Sequence, residues 1–170
     1  DALATVFEAR ACALSKAKNA RGGDSTRTAQ ALAELCYRTL IDDGVEALAA
    51  AREHAVTPAF ERVVEANTLL SGLGFESAGL AAAHSVHNGL SVAPATRAFL
   101  HGEKVAFGTL VHLVLEGASR RQLDEVLGFS TSVGLPVTLA GVGLPNPGED
   151  LLESIAVRAT AARVRPGTTS

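Results

Sequence analysis

Apolar residues recur at helical spacing through every long segment of the chain, and no segment keeps the alternation of a half-buried strand. Alanine is abundant and aromatic residues make up only 4% of the chain, which favours closely packed helices over a β-sandwich. At 170 residues, the chain is long enough to bury a core within one domain. We therefore predict an all-α domain of roughly seven or eight packed helices, with no α/β layer.

Glycine and proline mark the predicted ends of these helices. The pair Thr57-Pro58 has the pattern of a capping residue followed by proline in the first helical position, so it predicts a helix start. We expect Gly44 to interrupt the second long helix, and Gly72 and Gly74 to separate the next helix from the segment that follows. The last predicted helix covers residues 149–162, and residues 164–170 have the composition of a tail.

The first two helices also make predictions about burial. Periodicity places Leu14 and Leu35 on the apolar faces of these helices. Cys12 and Cys36 have no CxxC partner and do not form a disulfide framework, so we interpret them as buried thiols of a cytoplasmic protein.

Charge and hydropathy exclude two classes of partner. The net charge of −3 comes without a basic patch, so we expect no nucleic-acid partner. No apolar run reaches the roughly 20 residues needed to span a bilayer, so we expect no membrane insertion. The sequence begins at Asp1 and contains no methionine, from which we expect a fragment of a longer chain.

Three histidines stand out as candidate metal ligands. His84 and His87 are three positions apart on one helical face, after a run of small residues that would admit a neighbouring backbone or a substrate. His101 opens the following helix, and two adjacent helices can bring imidazoles to one ion. Surface or capping histidines remain an alternative, because this spacing is not a compact ligand motif.

The other polar candidates have simpler interpretations. Asp1 precedes a helical segment, where an aspartate is most often a cap. His54 ends a polar helix, and His112 lies among apolar residues, where a hydrogen-bonded core or interface histidine is expected. The glycine-rich pieces RGGDS and GVGLPNPG follow no strand, so they do not fit phosphate loops.

Four longer strings carry a specific resemblance. In chain order, these strings are DALATVFEARAC, VTPAFERVVEANTLLSG, GLGFESAGLAAAHSVHNGL and HGEKVAFGTL. Together they closely resemble the C-terminal domain of zinc-dependent glycerol dehydrogenases, within the iron-containing alcohol dehydrogenase and dehydroquinate synthase superfamily. The resemblance covers residues 1–136 and implies the helical domain of that superfamily.

The resemblance also implies roles for individual residues. It makes Asp1, His84 and His101 the ligands of a zinc ion, with the two histidines also acting as catalytic residues that face the substrate. Phe75, in the string GFES, would lie against glycerol, and His87 would line the site without binding the metal.

A departure from the iron-dependent relatives concerns the number of ligands. Thr5 stands where those relatives tend to have a further histidine, which favours a site with three protein ligands and zinc.

The activity implied for the full-length protein is the oxidation of glycerol, or a similar small polyol, to dihydroxyacetone. Zinc would polarise the substrate hydroxyls, and NAD would bind to an N-terminal α/β domain outside this sequence. Residues 1–170 would form one helical metal- and substrate-binding domain, inactive by itself, of a cytoplasmic homo-oligomer. Two alternatives stay open, namely a related dehydrogenase for another alcohol or diol and a helical oligomerisation domain without activity.

Overall fold

The computed structural model describes residues 1–161, and within that range it consists of helices and connecting turns without a strand. The α-helices are α1 (Thr5–Ser15), α2 (Arg27–Arg52), α3 (Pro58–Glu65), α4 (Ser71–Ala78), α5 (Ala82–Leu90), α6 (His101–Leu115), α7 (Arg120–Ser132) and α8 (Glu149–Thr160). Short 3-10 turns cover Ala2–Ala4, Pro94–Ala98 and Ala140–Val142, and a π-helical turn covers Ala66–Leu70. The predicted all-α fold is confirmed over these residues, while the predicted tail at 164–170 lies outside them.

The start of α3 follows the local signal in the sequence. Thr57 precedes the helix with an extended backbone, and its hydroxyl accepts a hydrogen bond of 3.2 Å from the N–H of Phe60. Pro58 occupies the first helical position, where its missing N–H costs nothing. The predicted helix start is therefore confirmed.

The prediction that Gly44 ends the second helix is wrong. Helix α2 runs without a break through this position, and Gly44 is buried on the side that faces α7. A Cβ at Gly44 would lie 2.7 Å from Cε2 of Phe129. The glycine therefore makes room for an aromatic ring instead of ending the helix.

Gly72 and Gly74 also lie inside a helix, contrary to the prediction that they separate two segments. Both belong to α4, and Gly74 packs its bare face against Thr5. The chain turns instead at Gly79, whose φ of +107° is favourable only for glycine. This turn leads directly into α5.

Buried apolar side chains form a larger and a smaller core. The larger core joins α1, α2, α4, α6 and α7 and includes Val6, Phe7, Cys36, Leu113 and Val126. The smaller core joins α5, α8 and the turns between α5 and α6 and before α8, and it includes Leu90, Ala93, Val142, Leu144 and Ile155. Within residues 1–161, no helix combines the length and the apolarity needed to cross a membrane.

Leu14 and Leu35 are exposed, contrary to prediction, with exposed fractions of 85% and 52%. Leu14 lies two positions after the buried Cys12, and Leu35 lies immediately before the buried Cys36. A helix turns about 100° per residue, so these offsets point both leucines away from the core.

Candidate metal centre

Three side chains from separate elements converge at one end of the domain. Asp1 precedes the first 3-10 turn, His84 is the third residue of α5, and His101 is the first residue of α6. Each offers one ligand atom, and these atoms all lie within 4.8 Å of one another. The Nε2 atom of His84 is 3.2 Å from Oδ1 of Asp1, and that of His101 is 3.5 Å from Oδ2. Two imidazole nitrogens thus face the two oxygens of one carboxylate.

A small buried cluster beneath these side chains fixes their relative positions. Ala4, Ala83 and Val105 pack together there, and each is almost completely buried. Ala4 follows Asp1 by three positions, Ala83 directly precedes His84, and Val105 follows His101 by four positions. The packing of three small residues therefore brings the three candidate ligands together.

Two glycines of α6 permit this close packing. A Cβ at Gly108 would overlap the carbonyl oxygen of Ala83, so only glycine lets α6 lie this close to α5. A Cβ at Gly102 would lie 3.3 Å from the backbone nitrogen of Asp1. Both helices that carry a candidate histidine are thus positioned by backbone contact as well as by side chains.

Asp1 does not act through a capping hydrogen bond. It stands before the turn at Ala2–Ala4, in the position of a cap, but its side chain makes no capping hydrogen bond there. Its carboxylate is directed towards His84 and His101 instead. The geometry thus favours the metal-ligand interpretation of Asp1 over the capping one.

His87 borders the cluster without contributing to it. Its Nε2 lies 3.1 Å from Nδ1 of His101, and its Nδ1 lies 3.3 Å from Oδ1 of Asn88. The ligand-like group of Asp1, His84 and His101 does not include it. His87 therefore contacts the ring of His101 at Nδ1, on the side opposite the nitrogen that faces Asp1.

The surroundings of His87 and His101 favour the neutral form of each imidazole. Burial, together with the charge of His84, lowers the pKa of His101 below its usual value. Burial, together with the charge of His101, lowers the pKa of His87 as well. Neutral imidazoles retain the lone pairs that a metal ion requires.

Sequence analysis missed a fourth polar residue of this site, Glu8. Its side chain is fully buried, and its Oε2 lies 2.6 Å from Nδ1 of His84. Burial by itself raises the pKa of Glu8, but the hydrogen bonds from His84 and Ala81, with the charge of His84, outweigh burial and leave the pKa below its usual value. No local signal in the sequence indicated this role, because the hydrogen-bond partners of Glu8 lie more than 70 positions away.

Phe75 lies on α4, outside the cluster of ligand-like atoms. Its side chain is 40% exposed, and its backbone carbonyl accepts the N–H of Gly79 at the turn into α5. A role for Phe75 against a substrate stays a prediction.

The remaining histidines lie away from the cluster. His112 is buried in α6, as predicted, and within the described residues neither of its ring nitrogens has a hydrogen-bond partner; a partner across an interface stays a prediction. Its Nε2 is 3.0 Å from Oε1 of Glu116, in a geometry that does not form a hydrogen bond. His54 is exposed and follows the end of α2, as expected from its position after a polar helix.

Both cysteines are buried free thiols, as predicted. Cys12 donates a hydrogen bond of 3.3 Å to the carbonyl of Leu80, and Cys36 donates one of 3.4 Å to the carbonyl of Ala66. They belong to the packing of α1 and α2 and not to the metal-like cluster.

A separate groove runs between α2, α3 and α7 and is lined mainly by apolar side chains. Asp1 borders one end of it, but the histidines of the cluster do not line it. The groove and the cluster are therefore distinct surfaces.

Comparison with known proteins identifies several relatives of this chain. A glycerol dehydrogenase of Escherichia coli O6:H1 is 56% identical over 162 residues, which are 95% of this chain and 43% of the relative. A glycerol dehydrogenase of Thermotoga maritima is 53% identical over 159 residues, 94% of this chain and 44% of the relative. A glycolaldehyde reductase of Halobacterium salinarum is 54% identical over 156 residues, 92% of this chain and 43% of the relative. No protein-family model matches the chain.

Solved structures agree with these sequence matches. A probable glycerol dehydrogenase of Sinorhizobium meliloti superposes with a TM-score of 0.90 at 43% identity, over 98% of this chain and 46% of that one. The glycerol dehydrogenase of Schizosaccharomyces pombe gives the same TM-score at 38% identity, over 98% of this chain and 42% of that one. The chain thus spans less than half the length of the relatives it matches, and the resemblance to glycerol dehydrogenases that its motifs predicted is confirmed.

Proposed function

Because the chain is homologous to glycerol dehydrogenases over nearly all of its length, we propose that it is the metal- and substrate-binding domain of an NAD-dependent zinc glycerol dehydrogenase. The observation that carries the proposal is the convergence of Asp1, His84 and His101 from three elements. These three residues are far apart in sequence. They meet because the small residues and glycines beneath them let the helices approach closely.

The donor set fits a catalytic zinc ion. Two neutral imidazoles and one carboxylate are ligands that zinc accepts, and three protein ligands leave a coordination position for a substrate. Asp1 contributes a negative charge against the ion, while His84 and His101 contribute neutral nitrogen donors. When bound, the ion supplies Lewis-acid polarisation of the substrate hydroxyls.

The residues of this chain bind and orient the polyol. Asp1 and His101 have side chains that are about half exposed, whereas that of His84 is 13% exposed. A substrate therefore approaches from the side of Asp1 and His101, and His84 lies at the buried end of the site. Phe75 is proposed to flank the substrate, and His87 to hold His101 and line the same side.

The remaining parts of the reaction lie outside residues 1–170. NAD is proposed to bind to an α/β domain of the full-length protein, and the product is proposed to be dihydroxyacetone. The full-length protein is proposed to be a homo-oligomer of the cytoplasm. These proposals derive from the homology with glycerol dehydrogenases and from the motifs that carry it.

A second substrate class has specific support. The relative from Halobacterium salinarum that is 54% identical is a glycolaldehyde reductase, and glycolaldehyde is a smaller, two-carbon compound. Another small alcohol or diol is therefore the alternative to glycerol.

The test is zinc content and NAD-dependent oxidation by the full-length protein, with glycerol and ethylene glycol as competing substrates. We expect one zinc per chain, loss of activity after chelation, recovery on adding zinc, and a higher kcat/KM for glycerol. A metal-free protein with unchanged activity contradicts the metal site, and a higher kcat/KM for ethylene glycol supports the alternative substrate.

A further inference from the structure

A carboxylate deep in the domain forms its hydrogen bonds with the beginning of one helix. Glu8, on α1, is fully buried, although its charge is costly to bury without partners. Its Oε1 accepts hydrogen bonds of 2.9 Å from the N–H groups of Ala81 and His84. Its Oε2 lies 2.6 Å from Nδ1 of His84. Two backbone N–H groups and one ring nitrogen of one short segment therefore converge on this carboxylate.

Helix α5 lacks a capping side chain of its own. The residue before it is Ala81, which has no side-chain acceptor, and the turn from Gly79 leaves the first N–H groups without partners in the helix. Serine, threonine or aspartate ordinarily accepts these bonds from the capping position. Here Glu8 does so from a different helix, which fixes the start of α5 relative to α1.

The same carboxylate determines which nitrogen of His84 carries the proton. An ionised carboxylate only accepts hydrogen bonds, so Nδ1 of His84 must be the donor. Nε2 is then the ring nitrogen left to bind a metal ion, and it is this atom that lies 3.2 Å from the carboxylate of Asp1.

We propose that Glu8 is a positioning residue, which fixes the ring orientation and the tautomer of His84 so that its Nε2 lone pair points into the cluster. The inference deepens the metal site of the proposed function and rests on it for its functional meaning. Histidine ligands of metal ions commonly donate their second N–H to a carboxylate, and losing such a partner costs about 10–100-fold in metal affinity.

The other histidine of the cluster is held differently. His101 has Nδ1 within 3.1 Å of Nε2 of His87, a neutral partner, and its side chain is about half exposed. His84 is almost buried and is held by a charged group through its ring and its backbone. His84 is therefore the fixed ligand, and His101 is the more adjustable one.

Glu8→Gln is the sharpest substitution, because it keeps the size of the side chain and one acceptor oxygen for the N–H groups of α5. If that oxygen stays on the backbone, the amide NH₂ faces Nδ1 of His84, which must then accept. The proton moves to Nε2, and the lone pair that faced the cluster is lost.

Glu116→Gln is a matched control in the same protein. Glu116 also lies close to a histidine, His112, on the far part of α6, and neither residue belongs to the cluster. The substitution replaces a carboxylate next to a histidine by an amide and leaves the proposed metal site unchanged.

The first measurement is zinc affinity of the full-length protein by competition with a chromophoric chelator. We expect Glu8→Gln to raise the dissociation constant for Zn²⁺ about 10–100-fold. The unfolding temperature of the metal-free form should stay within a few degrees, and Glu116→Gln should bind zinc as tightly as the unsubstituted protein. Equal zinc affinity in Glu8→Gln overturns the role of Glu8, whereas failure of the unsubstituted protein to bind zinc overturns the proposed function instead.

The second measurement needs neither zinc nor a substituted protein. Long-range ¹H–¹⁵N spectra of the unsubstituted, metal-free protein report which nitrogen of His84 is protonated. When the ring of His84 is neutral, we expect its proton on Nδ1. A neutral ring that carries its proton on Nε2 instead overturns the inference even if Glu8→Gln does not fold.

Discussion

At the scale of single residues, the three candidate ligands differ in how firmly they are held. His84 is fixed by a buried carboxylate, His101 by the neutral ring of His87, and Asp1 by the packing of the turn that follows it. Removing a metal ligand lowers metal content, whereas removing a residue that only borders the site does not. Substitutions of His84 and His87, both in the segment HSVHNG, therefore distinguish their roles.

The first prediction compares the two histidines of this segment. In the full-length protein, His84→Ala should remove one of three ligands, so zinc content should fall and turnover should be largely abolished. His87→Ala should leave zinc content nearly intact, because it removes only a contact behind His101. Metal analysis of the purified variants distinguishes them, and loss of zinc in His87→Ala with retention in His84→Ala would reverse the assignment.

The second prediction concerns the thiols. Burial raises the pKa of Cys36 to about 11, and burial together with the charge of Glu8 raises that of Cys12. At pH 8 only about one Cys36 thiol in a thousand is then ionised, and thiolate is the reactive form. Both cysteines should resist iodoacetamide in the native protein and react in guanidinium chloride. Rapid labelling of either one in the native state would contradict their burial.

At the scale of elements, some helix boundaries follow from local sequence and others do not. Thr57 and Pro58 start α3 through bonds made within four residues, so the sequence predicted this start correctly. Gly44 destabilises α2 by about 1 kcal/mol relative to alanine, so the local sequence by itself favours a break in the helix here. The contact that outweighs this cost comes from Phe129, in a distant helix, and no local pattern contains it.

The third prediction tests the close approach of α5 and α6. Gly108→Ala should lower the free energy of unfolding by about 1–3 kcal/mol, because the new methyl group must displace the backbone at Ala83. Zinc affinity should fall too, since Ala83 adjoins His84. Chemical denaturation and zinc titration measure the two effects.

Gly128→Ala is the matched control for that substitution. Gly128 lies in α7, and no atom of residues 1–161 outside its own helix lies near the position of a new Cβ, so alanine should stabilise the protein by about 0.4–1 kcal/mol. Equal stability of the two variants would contradict the tight contact at Gly108.

At the scale of the whole molecule, the motifs predicted more than the periodicity did. Helical spacing predicted an all-α domain, whereas the order of DALAT, AAAHSVHNG and HGEKV predicted which side chains would meet. Glu8 escaped both approaches, because its partners lie more than 70 positions away and an acidic residue in a first helical turn is ordinary. Its role became visible only when burial and hydrogen bonds were known.

The fourth prediction is that residues 1–170 alone do not oxidise glycerol. The chain spans less than half the length of its glycerol dehydrogenase relatives, and residues 1–161 contain no strand that a phosphate loop could follow. A polarised hydroxyl without a positioned hydride acceptor does not react. With zinc, NAD and glycerol, purified residues 1–170 should produce no increase in NADH absorbance, whereas the full-length protein, as the control, should be active. A rate of NADH formation comparable to that of the full-length protein would contradict the prediction.

The unequal exposure of the cluster has a kinetic consequence. Asp1 and His101 are the more exposed members of the cluster, so we expect a chelator to displace these two side chains from a bound ion before the sheltered imidazole of His84. Demetallation should then pass through a ternary species, with the ion shared between His84 and the chelator. Its rate should rise with chelator concentration and depend on the size of the chelator, instead of reflecting spontaneous escape of the ion alone.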